Sequence, residues 1–310
     1  MMRDSGYSVI ELLIASAILF AISGVVLGLL HDGLAGVPVL EETTDLQQRA
    51  RVVSDALASE LRAAAAGTPS GALSRYFAPV EPHRPSDPVG CASADVVTLR
   101  YVPAGGAHAT LAQPLSPGVP IAVLESARCP ANTIACGFVA DTTVVVFDEA
   151  GNASFANVDA IGPGVLTVSD IAPARSVSYP AGSEIAEAVQ VMFFLDASAR
   201  QLRRTEGGGT FVVADNVTGV SFEYLSETMS LLPLSQFTDG PFVGGGAAAF
   251  DADLLRISLI RATVRLETGV DAMRGTDTTL FARPGTATGR RTIPDIVQRI
   301  DVALRNRNEP

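Results

Sequence analysis

Residues 7–30 form an almost unbroken apolar run, YSVIELLIASAILFAISGVVLGLL, in which Glu11 is the single charged side chain. Positions 12–30 carry no charge. As a helix rising 1.5 Å per residue they extend roughly 28 Å, close to the hydrocarbon thickness of a bilayer. Gly24 and Gly28 give a small-residue spacing that lets another helix approach closely. Gly33, Gly36 and Pro38 are expected to interrupt or kink this helix. Over residues 40–66 apolar side chains return at Leu46, Ala50, Val53, Leu57, Leu61 and Ala64, steps of three and four that mark one face of an amphipathic helix. Glu42, Asp45, Arg49, Asp55, Glu60 and Arg62 fall mostly elsewhere on the wheel, and Gly67, Thr68 and Pro69 stop it.

The period then changes from helical to alternating. Residues 67–90 are rich in proline and polar residues and read as an irregular loop. Strands are predicted at 96–102, 143–147, 165–168, 188–195, 210–213, 217–225 and 254–267. The stretch FFLDASARQLRRT reads as strand, turn, strand, with the turn at 196–199. Residues 235–253, with Gly240, Pro241, Gly244, Gly245 and Gly246, read as a flexible surface loop, and 268–292 is loop-like too. The end of the chain reads as a strand around RIDVALRN. The fold class is therefore α+β: a long N-terminal helix packed on an antiparallel sheet with long loops.

Composition narrows the function. A net charge of −11 argues against a general nucleic-acid surface, and the pairs Arg203-Arg204 and Arg290-Arg291 read as solvated strand or loop positions. All 22 basic residues are arginine, which excludes a Walker A lysine and a Schiff-base lysine. The chain has no G-x-S-x-G, no H-E-x-x-H and no G-x-G-x-x-G opening a helix. His31, His83 and His108 read as surface residues, Asp251 and Asp253 lack the rest of a calcium loop, and Glu41-Glu42 suit the start of a helix. The reading is a protein without catalytic residues, cofactor or metal.

The N-terminus carries a further signal. The order of elements is reversed relative to an ordinary signal peptide: a short polar leader, MMRDSG, and a small residue, Gly6, precede the apolar run. Gly6, Tyr7 and Glu11, within G-Y-S-V-I-E-L-L, resemble the class III signal of type IV pilins and pseudopilins. The resemblance implies that a prepilin peptidase cuts between Gly6 and Tyr7 and N-methylates Tyr7. It also implies that Glu11 pairs with the N-terminal amine of a neighbouring subunit. A buried carboxylate and a buried ammonium are each costly alone, so such pairing favours one axial register. Tyr7 stands where phenylalanine is usual, and Arg3 is the sole basic residue of the leader. Softer similarity to PilW-like minor pilins, and next to J-type pseudopilins, runs through ASELRAAAAG, FFLD…LRR, VTGVSFEYL, RISLIRATVRLETG and DVALRNR.

The implied layout is a leader at 1–6, a transmembrane and filament-core helix at 7–30, a kinked amphipathic continuation at 31–66 and a β-rich headgroup at 67–310. The implied role is a minor pilin that helps initiate or cap a type IV pilus, placed in the bacterial inner membrane with its headgroup in the periplasm and then in the filament. Its partners would be other minor pilins, the major pilin, the prepilin peptidase and the inner-membrane assembly platform. Two alternatives stand beside it: a pseudopilin at the tip of a type II secretion pseudopilus, and a membrane-anchored periplasmic enzyme or ligand-binding protein. In an oxidising compartment disulfides persist. The spacing in CPANTIAC, with Pro130 and Asn132 favouring a turn, points to Cys129–Cys136, with Cys91–Cys129 and Cys91–Cys136 competing.

Overall fold

The computed structural model describes residues 8–64, 76–85, 87, 92–103, 105–171, 174–287 and 291–304, leaving aside the side chains of residues 31–35 and 128. Among the described residues one α-helix, α1, runs from Val9 to Ala63, 55 residues without interruption. Of the interruption or kink expected at Gly33, Gly36 and Pro38, the interruption is absent: α1 continues through Pro38. Pro38 is exposed, so water can meet the carbonyl that its missing N–H leaves without a donor. The helix also stops at Ala63, short of the expected residue 66. All six residues of the sequence stripe, Leu46, Ala50, Val53, Leu57, Leu61 and Ala64, are buried.

The chain divides into two compact units. One comprises residues 1–48 and 267–295, the other residues 49–266 and 296–310.

In the first unit the 267–295 segment is more ordered than a sequence rich in glycine, threonine and proline suggests. Its centre is an acid with no solvent exposure, Glu267, held by two arginines. Arg274 Nη1 donates to Oε2 at 3.2 Å, and Arg283 Nε reaches both carboxylate oxygens at 3.0 and 2.9 Å. The Glu267 carboxylate, its hydrogen bonds first, raises the pKa of the Arg283 guanidinium above its ordinary value. Phe281 is buried beside Gly275, where an added Cβ would lie 2.6 Å from the ring.

The second unit opens with β1 (Val80–Glu81) and β2 (Val96–Tyr101). Six strands then follow: β3 (His108–Thr110), β4 (Ile121–Val123), β5 (Thr143–Phe147), β6 (Asn152–Gly162), β7 (Val165–Asp170) and β8 (Glu184–Glu187). They pair antiparallel in the order β3-β8-β5-β6-β7-β4. Beyond β3 and β4 an antiparallel bridge joins Leu111 to Leu124, flanked by Ala112 N to Val123 O and Glu125 N to Thr110 O, both 2.8 Å. That bridge makes the order circular and closes the sheet into a six-stranded barrel. The interior is apolar, with Leu111, Leu115, Leu124, Val144, Val146, Val158, Leu166 and Ile185 among its buried residues.

Next come β9 (Val189–Asp196), β10 (Gln201–Glu206) and β11 (Gly209–Asp215), which complete a sheet in the order β1-β2-β9-β10-β11. Because Tyr101 pairs directly with Val189, the whole barrel is an insertion between two neighbouring strands of this sheet. The turn between β9 and β10 is an Asx turn: Asp196 Oδ1 accepts from Ser198 Oγ at 2.7 Å and Ala199 N at 3.0 Å, bonds that lower its pKa. A second sheet is built from β12 (Val217–Leu225), β13 (Leu231–Leu232), β17 (Leu259–Leu266) and β18 (Ile296–Ala303), ordered β13-β12-β17-β18. Strand β17 alternates strictly, with Ile260, Ala262, Val264 and Leu266 buried and Arg261 and Arg265 on the partly solvated face.

Residues 235–253, expected to be a flexible surface loop, hold β14 (Phe242–Val243), β15 (Gly245–Gly246) and β16 (Phe250–Asp251), with Phe237, Ala248, Phe250 and Asp251 buried. Strand β15 runs parallel to β6 of the barrel. The glycines are there for close approach: a Cβ at Gly245 would lie 2.4 Å from Asn152 Oδ1, and one at Gly246 (φ +67) 3.1 Å from Ala153 O. The strand expected from residue 254 begins at Leu259; Ala252–Arg256 is a 3-10 turn started by Asp251, whose carboxylate accepts from Asp253 N.

Candidate functional site

The first helical turn is capped from within. Ser8 is the N-cap: its Oγ accepts from Ile10 N at 3.3 Å, and Glu11 reaches back so that Oε2 accepts from Ser8 N at 2.9 Å. S-V-I-E is thus a capping box. The signal for it stands in the sequence, and the pilin resemblance alone does not disclose it. Glu11 then has a local partner as well as a position at the head of an apolar helix. Gly6 and Tyr7 lie outside the described residues, as does Cys91.

Behind Glu11 lies a long apolar surface. Val9–Leu30, 22 residues of mean hydropathy 2.6, is long and apolar enough to cross a membrane, and none of it is buried within the chain. Leu12, Leu13, Ile18, Leu19, Phe20, Val25 and Leu29 are all exposed. Gly24 and Gly28 lie on this open stretch, with no atom within 4 Å of where a Cβ would stand. Among the described residues nothing covers this apolar cylinder, a surface of the kind that lipid or another helix covers.

Past this stretch, polar side chains fasten the helix within each unit. Glu41 and Glu42 were expected at a helix start; they lie inside α1, and Glu42 Oε1 accepts from Thr268 Oγ1 at 2.9 Å and Gly269 N at 2.6 Å. In the second unit Arg49 Nη1 donates to the Asp215 carbonyl at 3.3 Å. Glu60 accepts from Arg204 Nη2 at 2.8 Å and from Tyr101 Oη at 3.3 Å. Burial and the charge of Glu60 push the Tyr101 phenol up to about 12. Arg204 was expected to be solvated; it is a half-buried anchor between helix and sheet. Arg203 pairs with Asp196 at 3.3 Å, while Arg290 lies outside the described residues.

The other polar candidates whose side chains are described have partners within the fold. His83, expected at the surface, is half-buried and 3.4 Å from Glu81, which in turn pairs with the buried Arg100. Arg100 Nε donates to Gln190 Oε1 at 2.8 Å, and its guanidinium lies 4.7 Å from the Phe155 ring centre. His108 is exposed, 3.5 Å from Glu184. The D-x-D acid Asp251 is buried, and its carboxylate accepts from Gly240 N and Asp253 N at 2.7 and 2.9 Å. Among the described residues no group of three His, Cys, Asp or Glu side chains could hold a metal ion. A disulfide joins Cys129 and Cys136, whose Cα atoms are 4.5 Å apart.

No protein-family model matches this sequence, and no curated protein matches it either.

Proposed function

We propose that this chain is a type IV pilin-like filament subunit, a minor pilin of the PilW-like kind. It would be cut between Gly6 and Tyr7 by a prepilin peptidase and held in the inner membrane until it joins the filament. The observation that carries the reading is the uncovered apolar half of α1, Val9–Leu30, with one acid in its first turn directly after Gly6-Tyr7. The uninterrupted helix supports it: α1 continues to Ala63, and its distal part bears a buried stripe and polar ties to a sheet. In a filament the apolar half would pass from lipid to a core of like helices, and Glu11 would meet the N-terminal amine of a neighbouring subunit. The chain contains no lysine, so its own amine for such a pair is the α-amino group alone.

The capping box makes the test sharper. Glu11→Ala removes both the cap and the charge. Glu11→Gln keeps a capping acceptor and removes only the charge, since glutamine serves in a capping box. If Glu11 pairs with an ammonium, both variants are processed normally, yet both fall at least tenfold in filament incorporation, read by immunoblotting of sheared filaments. Normal incorporation of Glu11→Gln would overturn the pairing role and leave Glu11 as a helix cap. Loss of twitching on deletion fits the pilus; loss of protein export with twitching intact would move the subunit to a secretion pseudopilus.

A further inference from the structure

The inserted barrel is stoppered at one place by the segment that its disulfide closes. Cys129 follows a short turn at Ser126–Arg128, and Cys136 lies in the next, Ala135–Gly137. Ala135, Cys136 and Phe138 are 2, 3 and 2% exposed and belong to the barrel core with Ala109, Leu111 and Val144, while Cys129 packs against that core from a less buried position. Residues 130–134 between the cysteines are all exposed. The segment is thus an exposed arch whose far foot is pressed into the barrel.

The backbone of that foot is unfavourable by itself. Ala135, Cys136 and Gly137 have φ of 48°, 57° and 94°, three successive left-handed residues of which two carry a Cβ. Each such residue is strained and persists only where its surroundings over-determine it. Apolar burial of three side chains pulls the foot inward, and the covalent bond to Cys129 prevents it from leaving.

We propose that Cys129–Cys136 is a redox latch on this plug. Closed, it holds Ala135, Cys136 and Phe138 in the barrel; two-electron reduction by a dithiol releases them and opens the apolar interior. In the reaction a thiolate of the dithiol attacks Sγ of Cys129, the less buried of the two cysteines. A mixed disulfide forms there, and Cys136 leaves as a thiolate and takes up a proton. The second thiol of the reductant, once deprotonated, displaces Cys129, which is protonated in turn. The dithiol ends as a disulfide, and two electrons and two protons have passed to the cystine. The leaving sulfur lies in apolar surroundings that disfavour a thiolate, so displacement proceeds from the open plug. Opening and reduction therefore favour each other by the same factor. Run in reverse, with a disulfide donor as oxidant, the barrel closes only in a compartment that supplies one. The inference stands independently of how the N-terminal helix is used.

Hydrogen exchange by mass spectrometry tests it, on the full chain in detergent micelles with Cys91→Ala so that no third thiol exchanges. Samples are compared before and after dithiothreitol, with complete reduction checked by alkylation of two thiols. Exchange over residues 107–111 and 135–146 is expected to accelerate on the order of 10- to 100-fold, the scale that ring-closure entropy gives for so short a loop. The β9–β10 hairpin should keep its protection, and Cys129→Ser/Cys136→Ser should behave like the reduced protein. Unchanged exchange over 135–146 after full reduction would overturn the latch. Loss of protection through β9 and β10 as well would also overturn it, because the disulfide would then support the whole unit.

Discussion

Gly245→Ala adds one methyl group where β15 lies against the barrel strand β6. The new Cβ would stand 2.4 Å from Asn152 Oδ1 and 3.4 Å from its Cγ, so the Asn152 amide must move. That amide is not free to swing. Its Nδ2 donates to Asp148 Oδ2 at 2.9 Å, and the Asn152 backbone N–H donates to Asp148 Oδ1 at 2.9 Å. Asp148 is buried, 7% exposed. Relief of the clash therefore either breaks a hydrogen bond to a buried carboxylate, about 1.5–3 kcal/mol, or forces the two strands apart, about 1–3 kcal/mol for overpacking. Both routes give about 2 kcal/mol, which lowers Tm by roughly 4–8 °C in a unit of this size. The assay is urea and thermal unfolding of the full chain in detergent, with Asn152→Ala and the double variant completing a cycle. Removing the Asn152 amide removes the obstacle, so the double variant should be about 1–2 kcal/mol more stable than the sum of the single effects. A Gly245→Ala protein within about 0.5 kcal/mol of the parent, or strictly additive effects, would refute the close-approach account and restore the picture of a free loop.

Other outcomes follow from the buried polar groups. Glu267→Ala leaves Arg274 and Arg283 without their shared partner and should destabilise the 267–295 segment by about 3–5 kcal/mol, read as loss of exchange protection there. Asp251→Ala should cost about 1–3 kcal/mol in denaturant unfolding, because two backbone donors, Gly240 N and Asp253 N, lose their acceptor. In alkaline absorbance titration Tyr101 and Tyr179 should ionise near 12, and Tyr224, driven still higher by complete burial, only on unfolding. Their folded pKa values lie above the ordinary 10.0, so their stabilising contribution is intact below about pH 10 and is lost between about pH 10 and 12. Ionisation of all tyrosines near pH 10 in the folded protein would contradict the packing of all three.

What the sequence disclosed depended on periodicity. The helical stripe from Leu46 to Ala64 was readable because one face of α1 meets protein and the other meets water. Strands β5 and β12 were readable as β-branched and aromatic runs that match their observed bounds. Strand β6 was missed although it is the longest, because NASFANVDAIG is poor in strand-forming residues; its neighbours on both sides and barrel closure impose the conformation. The barrel could not be read at all, since closure rests on single long-range pairings such as Leu111 with Leu124. Gly244 to Gly246 looked flexible because glycine has the same letter whether it bends a chain or admits a neighbour. Of the N-terminal region, the order Gly6, Tyr7, Glu11 and the apolar run was plain, while the bond of Glu11 to Ser8 N was legible as a capping box once Ser8 was seen as the cap.

The proposed function requires that the mature protein begin at Tyr7 and keep the apolar half of α1. Intact-mass and N-terminal peptide mass spectrometry of the protein isolated from cells that carry a prepilin peptidase measures this directly. The expected result is a chain that starts at N-methylated Tyr7 and retains Val9–Leu30. A chain that still begins at Met1, or one cut after Leu30, would contradict it.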